Sequence, residues 1–162
     1  KILTIFKKMY WLSRAKLLIR MRGTFELSKV ADIYVVSNSE TDNIEYEAAV
    51  LGISKAPFTL IGGAKKYKVS GDENSIVGIP TDRPDYRKIL LCLRDQHKSL
   101  TVVGDNFSLD LVTPLSLGMD VAYIPNPLTP PAILDYVRRK NIPFGTINEI
   151  VDKLTAKLGT SP

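Results

Sequence analysis

Short apolar runs alternate along the chain with stretches long enough to be helices. The runs predict five strands, at residues 33–36, 58–61, 101–103, 121–124 and 144–147. Apolar residues at helical spacing between the runs predict helices at residues 42–51, 84–94, 111–117, 131–140 and 148–158, the last capped by Asn148. Strands separated by helices of this length are typical of βαβ units, in which strands lie parallel. The pattern therefore predicts an α/β domain whose strand C-terminal ends share one edge.

One interruption of this pattern predicts a small hairpin within about residues 65–80. Tyr67 to Val69 and Ser75 to Ile79 flank four turn-forming residues at 71–74. The full length of 162 residues suits one domain with a sizeable core, so we predict a single domain over residues 1–162.

Composition narrows the possible chemistry. Hydrophobic residues make up 44% of the chain and charged residues 24%, which is typical of a globular protein and excludes a disordered one. The single cysteine, Cys92, excludes an internal disulfide and a cysteine-based zinc site, and it favours a reducing, cytoplasmic location. The single histidine, His97, excludes a histidine-rich metal site. Of the usual kinds of catalytic site, one based on Asp and Glu carboxylates remains.

The net charge of +5 is concentrated at the start of the chain. Residues 1–22 contain seven basic residues and no acidic one. Because apolar residues alternate with these charges, we expect residues 9–21 to form an amphipathic packing helix that shelters Trp11. A nucleic-acid or membrane-surface interface is the alternative interpretation. No apolar run is long enough to predict a transmembrane segment, and we expect no signal peptide.

Polar side chains that follow predicted strands are the candidate chemistry. Ser37 follows the first of these strands, and Asp105 and Asp110 follow the strand at 101–103. A hydroxyl and two carboxylates at one sheet edge could hold a phosphate and a hard cation such as Mg²⁺. Gly104 would keep the turn before Asp105 open. The alternative is that the two aspartates only cap the helix that follows.

Three segments resemble motifs of the haloacid dehalogenase-like hydrolase superfamily. Val103 to Asp110, followed by Pro114 to Asp120, is similar to its fourth motif, in which a strand, Gly-Asp, four residues and Asp precede a helix. Ile33 to Asn38 resembles the second motif, and residues 144–154 resemble the closing strand and helix. The resemblance spans about residues 25–158 and implies a three-layer α/β/α, Rossmann-like fold around a parallel sheet.

The resemblance also implies an activity and its residues. In that superfamily an aspartate nucleophile attacks a phosphoryl group, and Mg²⁺ neutralises the phosphate. By resemblance, Ser37 and the amide of Asn38 would bind the phosphoryl group, Asp105 would ligate Mg²⁺ and Asp110 would support it. The third motif supplies a cation, and Arg83, in Arg83-Pro84, stands at its position as a candidate catalytic residue. The alternative source of this charge is Lys66, which would be a phosphate ligand, or its neighbour Lys65.

The first motif, Asp-x-Asp, does not occur in this sequence. Residues 2–6 could form an apolar strand, yet Lys7-Lys8 occupy the place of the aspartates. Since the sequence begins with Lys1 rather than Met, we expect the nucleophile strand to lie upstream. The expected function is a cytoplasmic, Mg²⁺-dependent phosphatase acting on a small phosphate ester through an aspartyl-phosphate. A catalytically inactive binding module of the same fold is the alternative.

Overall fold

The computed structural model describes residues 27–50, 57–71 and 74–159 of the chain. Its strands are β1 (Ile33–Val36), β2 (Phe58–Ile61), β3 (Ser75–Ile76), β4 (Ile79–Pro80), β5 (Thr101–Gly104) and β6 (Asp120–Tyr123). Its α-helices are α1 (Thr41–Val50), α2 (Pro84–Gln96), α3 (Val112–Ser116), α4 (Pro131–Arg139) and α5 (Ile147–Gly159), and a π-helical turn covers Phe107–Leu111. The predicted helix at residues 9–21 with Trp11, and the apolar run at 2–6, lie outside these ranges.

The principal strands form two parallel pairs. Ile33 of β1 lies opposite Phe58 of β2, and Thr101 of β5 lies opposite Asp120 of β6. The α/β class with parallel strands is thereby confirmed. Within the described ranges the pairs are separate two-stranded sheets, so β1 and β5 each have one strand neighbour there. The continuous parallel sheet and the three-layer arrangement of the fold stay predictions.

A hairpin forms, but not around the predicted turn. β3 and β4 pair antiparallel, and the turn between them consists of Val77 and Gly78. Both residues have positive φ, 54° and 72°. The two-residue hairpin turn whose twist matches that of the strands requires positive φ at both of its central residues. The predicted hairpin between residues 67–69 and 75–79 was therefore wrong, because residues 67–69 form no strand. Residues 72 and 73 of the predicted turn lie outside the described ranges.

The C-terminal helix begins with a reciprocal cap. The Thr146 amide and hydroxyl donate hydrogen bonds to Glu149 Oε2, at 2.6 and 2.9 Å, and the Glu149 amide donates to Thr146 Oγ1 at 3.4 Å. These bonds from Thr146 lower the pKa of the Glu149 carboxyl. The predicted cap, Asn148, lies inside α5. The predicted strand at 144–147 reduces to one parallel bridge between Phe144 and Tyr123.

Two hydrophobic clusters support the strand ends. The first lies around the π-helical turn, β6 and α4, and its buried members include Phe107, Leu111, Tyr123 and Val137. The second consists of Ala64, Tyr86, Leu90 and Met119, with Val36 of β1 and Val102 of β5 packed against it. Because both strand pairs contact this second cluster, it holds them on the same helix, α2. No helix in the described part of the chain is long and apolar enough to cross a membrane.

Candidate functional site

Ser37 and Asn38 form the loop that directly follows β1. The Ser37 amide donates to the Ile61 carbonyl at 2.9 Å, which extends the contact with β2 by one residue. Ser37 Oγ accepts a hydrogen bond from the Ser39 amide at 3.2 Å. The hydroxyl proton of Ser37 and the amide proton of Asn38 have no acceptor among the described residues. Both donors are therefore free for a ligand.

The loop after β2 packs closely on this β1 loop. The Gly63 amide donates to the Ser39 carbonyl at 2.8 Å, and the Gly62 amide donates to Thr41 Oγ1 at 3.1 Å. A Cβ atom on Gly62 would lie 2.2 Å from the Thr41 amide nitrogen and 2.6 Å from the Ser39 oxygen. Only glycine fits between these backbones. This close approach brings Lys66 to the end of β1.

Lys66 joins the ends of β1 and β5. Its amide donates to Asn38 Oδ1 at 2.7 Å. Its ammonium donates to the carbonyl of Val36, the last residue of β1, at 2.9 Å, and to Asp110 Oδ1 at 2.8 Å. The side chains of Lys66 and Asp110 are only 11% and 16% exposed. This ion pair is therefore largely shielded from water and from salt.

Asp110 is placed by the π-helical turn and by a close contact with β5. The Val112 amide donates to the Phe107 carbonyl, five residues back, which defines the wider turn. A Cβ atom on Gly104 would lie 2.4 Å from the Asp110 Cβ. The absence of a side chain at Gly104 therefore lets Asp110 lie against the strand end. The Asn106 amide donates to Asp110 Oδ2 at 3.1 Å and fixes the carboxylate.

Arg83 contacts backbone rather than carboxylate. Its side chain is buried, and its Nε and Nη1 donate to the carbonyls of Lys66 and Pro80, at 2.5 and 2.7 Å. Burial lowers the pKa of the Arg83 guanidinium below its ordinary value. Of the cations considered from the sequence, Lys66 is the one that the structure pairs with Asp110, and Arg83 holds the Lys66 backbone. A catalytic role of Arg83 stays a prediction.

Asp105 is the more available of the two aspartates. It is exposed just after β5, and its carboxylate makes no hydrogen bond or ion pair with the described residues. Both oxygens of Asp110 already accept hydrogen bonds. Mg²⁺ commonly binds one or two carboxylates together with waters and phosphate oxygens, which the Asp105 carboxylate fits. The described residues contain no group of three or more His, Cys, Asp or Glu side chains that could hold a metal.

Sequence reasoning missed Tyr86, which lies under the ion pair. Its hydroxyl donates to the Asp110 carbonyl at 3.0 Å, and Lys66 Nζ lies 4.9 Å from its ring centroid. A tyrosine in the first turn of an amphipathic helix carries no signal beyond core packing, so the sequence could not have identified it.

The strand-end loops thus bring together an ammonium group, a hydroxyl and an amide donor, with Asp110 pairing the ammonium and Asp105 just after β5. In comparisons with known proteins, the chain matches no family model, no curated protein and no solved structure. The resemblance to the haloacid dehalogenase-like superfamily therefore rests on the sequence motifs alone.

Proposed function

We propose that the protein is a Mg²⁺-dependent phosphohydrolase of the haloacid dehalogenase-like type, acting on a small phosphate ester in the cytoplasm. The observation that carries the proposal is the position of the Lys66 ammonium. It donates to the last carbonyl of β1 and pairs with Asp110, which lies in the π-helical turn that follows β5. Ser37 and Asn38, which also follow β1, offer further donors beside it.

These groups suit a phosphate oxygen by charge and by hydrogen-bonding capacity. The ammonium uses two of its three protons within the protein and keeps one for a ligand. Ser37 Oγ and the Asn38 amide can each donate one further hydrogen bond. Donors held in place before the ligand arrives stabilise the charge that develops during phosphoryl transfer without reorganising. Asp110 keeps Lys66 oriented, because the ion pair limits where the ammonium can move.

Asp105 is the residue that would hold the metal ion. A bound Mg²⁺ supplies positive charge that neutralises the phosphate. Asp105 offers a free carboxylate for it. Asp110 would have two roles: it orients Lys66, and it would be a supporting carboxylate near the Mg²⁺ ion.

The nucleophile of this reaction would belong to an Asp-x-Asp motif, which these 162 residues do not contain. By resemblance, a carboxylate oxygen of the first aspartate would attack phosphorus while the bond to the leaving alcohol breaks, and the second aspartate of the motif would protonate that alcohol, leaving an aspartyl-phosphate. Water would then attack the same phosphorus and give its proton to the second aspartate, which releases inorganic phosphate and restores the first carboxylate. In the proposed fold, a strand between β1 and β5 would carry this aspartate to the site.

The absence of an Asp-x-Asp sequence favours one alternative, a catalytically inactive module that binds phosphate at the same edge. The two functions share the binding site and differ only in turnover. Hydrolysis of p-nitrophenyl phosphate in the presence of Mg²⁺, by a protein that includes the proposed nucleophile strand, distinguishes them, since the binding module would bind inorganic phosphate without releasing nitrophenol.

The first prediction tests the binding site itself. Replacing Lys66 with glutamine removes a charged donor, so phosphate affinity should fall about 10- to 100-fold in calorimetric titration. The matched control is Lys68→Gln, which removes an exposed lysine two residues away and should change affinity less than twofold. Asp105→Asn should abolish any increase in phosphate affinity caused by Mg²⁺.

Equal phosphate affinity in Lys66→Gln and Lys68→Gln would contradict the proposed site. Circular dichroism of both variants establishes that they are folded. An Asp105→Asn variant that retains the full effect of Mg²⁺ would contradict the metal assignment and leave the phosphate site in place.

A further inference from the structure

Tyr86 contacts both members of the Lys66–Asp110 ion pair. It lies in the first turn of α2, and its side chain is 1% exposed. Its hydroxyl donates to the carbonyl of Asp110 at 3.0 Å, and its ring lies 4.9 Å from Lys66 Nζ. Because it is buried, Tyr86 cannot itself contact a ligand at the edge. Any influence on the ligand has to pass through Lys66 or Asp110.

Two interactions give Tyr86 this influence. A cation near the face of an aromatic ring is attracted by the ring's quadrupole, so the ring favours one position of the ammonium. The hydroxyl fixes the backbone of Asp110, whose carboxylate is the partner of that ammonium. Burial raises the pKa of Tyr86, so the hydroxyl stays protonated and donates this bond throughout the physiological pH range.

Arg83, three residues earlier in the chain, acts on the other end of Lys66. Its guanidinium donates to the Lys66 carbonyl, while the Tyr86 ring contacts the Lys66 ammonium. The start of α2 therefore fixes both the backbone and the charged end of this lysine. A lysine side chain that would otherwise sample many rotamers is confined before a ligand arrives, which lowers the entropy lost on binding.

We propose that Tyr86 is a positioning residue, which strengthens phosphate binding by holding the Lys66 ammonium and the Asp110 backbone in one arrangement. This inference rests on the proposed phosphate-binding function of the edge. If Tyr86 were instead only a core residue, its hydroxyl would affect folding stability without any specific effect on Lys66.

A double-mutant cycle distinguishes the two roles. Tyr86→Phe keeps the ring and the packing but removes the hydrogen bond to Asp110, and inorganic phosphate should bind about three- to tenfold more weakly. In the Lys66→Gln background, Tyr86→Phe should have no further effect on phosphate affinity. Tyr136→Phe is the control, because Tyr136 packs on the other cluster and should leave affinity unchanged.

A second measurement does not depend on phosphate. An ammonium held by two hydrogen bonds exchanges its protons slowly enough to give a ¹H–¹⁵N signal at low temperature, which Lys66→Gln would assign by its loss. Tyr86→Leu removes the ring and the hydroxyl together and should abolish this signal or speed its exchange severalfold. Tyr86→Phe should retain the signal.

The outcomes separate this inference from the proposed function. If the unmodified protein does not bind phosphate but Tyr86→Leu loses the ammonium signal, the proposed function fails and the positioning of Lys66 stands. The inference is overturned if Tyr86→Phe weakens phosphate binding equally with and without Lys66. A folded Tyr86→Leu that keeps the signal, or an unmodified protein that lacks it, also overturns the inference. Should Tyr86→Leu not fold, the phenylalanine cycle decides alone.

Discussion

Replacing Gly104 with alanine tests the contact that places Asp110. The added Cβ atom would lie 2.4 Å from the Asp110 Cβ and 3.0 Å from its Cγ. Carbon atoms in contact normally lie about 3.5–4.0 Å apart, so Asp110 has to move by roughly 1 Å or more. Since the Asp110 Cβ is bonded directly to the backbone, a rotamer change cannot relieve the clash. The displacement should break the ion pair with Lys66.

The expected cost follows from these contacts. Overpacking costs about 1–3 kcal/mol, and losing a hydrogen bond to a charged group costs about 1.5–3 kcal/mol. Gly104 does not have positive φ. Without the clash, an alanine there would stabilise the folded protein by about 0.4–1 kcal/mol, because it reduces the conformational entropy of the unfolded chain. The free energy of unfolding should therefore fall by about 2–5 kcal/mol, and the Tm by on the order of 5–15 °C.

Thermal and urea denaturation followed by circular dichroism measure this change. Gly71→Ala is the matched control, because a Cβ there meets no atom within 4 Å and the backbone φ is not positive. Its stability should be unchanged or slightly higher, and its phosphate affinity unchanged. The reasoning is refuted if Gly104→Ala is as stable as Gly71→Ala and binds phosphate equally well.

Two further variants test other parts of the structure. Gly62→Ala should lower the Tm more than Gly104→Ala, because its Cβ would meet backbone atoms of Thr41 at 2.2 Å, and an unchanged Tm would contradict the packing of the two loops. For Glu149, hydrogen bonds from Thr146 lower the folded-state pKa below 4.5, so its stabilisation is complete above pH 4.5 and is lost as pH falls through the lower folded-state value. The difference in Tm between the unmodified protein and Glu149→Gln should therefore shrink below pH 4.5, and a pH-independent difference would contradict this cap.

The α/β class could be predicted because local pattern determines it. β1 and β2 cover the residues predicted for them, since a short apolar run bounded by turn residues is a strong strand signal. The turn between β3 and β4 could not be located from the sequence, because residues 71–74 are rich in turn formers whereas this hairpin turns at Val77-Gly78. The position of this turn is determined by the backbone pairing of β3 with β4 and not by the local content of turn-forming residues.

The candidate site was predictable only in part. Strand ends indicated Ser37, Asp105 and Asp110, because parallel strands share an edge. The choice between Arg83 and Lys66 depends on a contact between residues 44 positions apart, which no local pattern contains. Tyr86 gave no signal, because a buried aromatic residue in a helix ordinarily serves packing alone.

The π-helical turn makes the site depend on the length of one segment. Each residue advances an α-helix by about 100°, so deleting one residue between 107 and 111 would restore ordinary helical spacing and rotate Asp110 by about that angle. The carboxylate would then face away from Lys66, while the flanking strand and helix could still form. Sequences descended from this chain should consequently accept substitutions at Ser108 and Leu109, which are neither buried in the core nor paired with Lys66, and hardly any insertion or deletion within the turn.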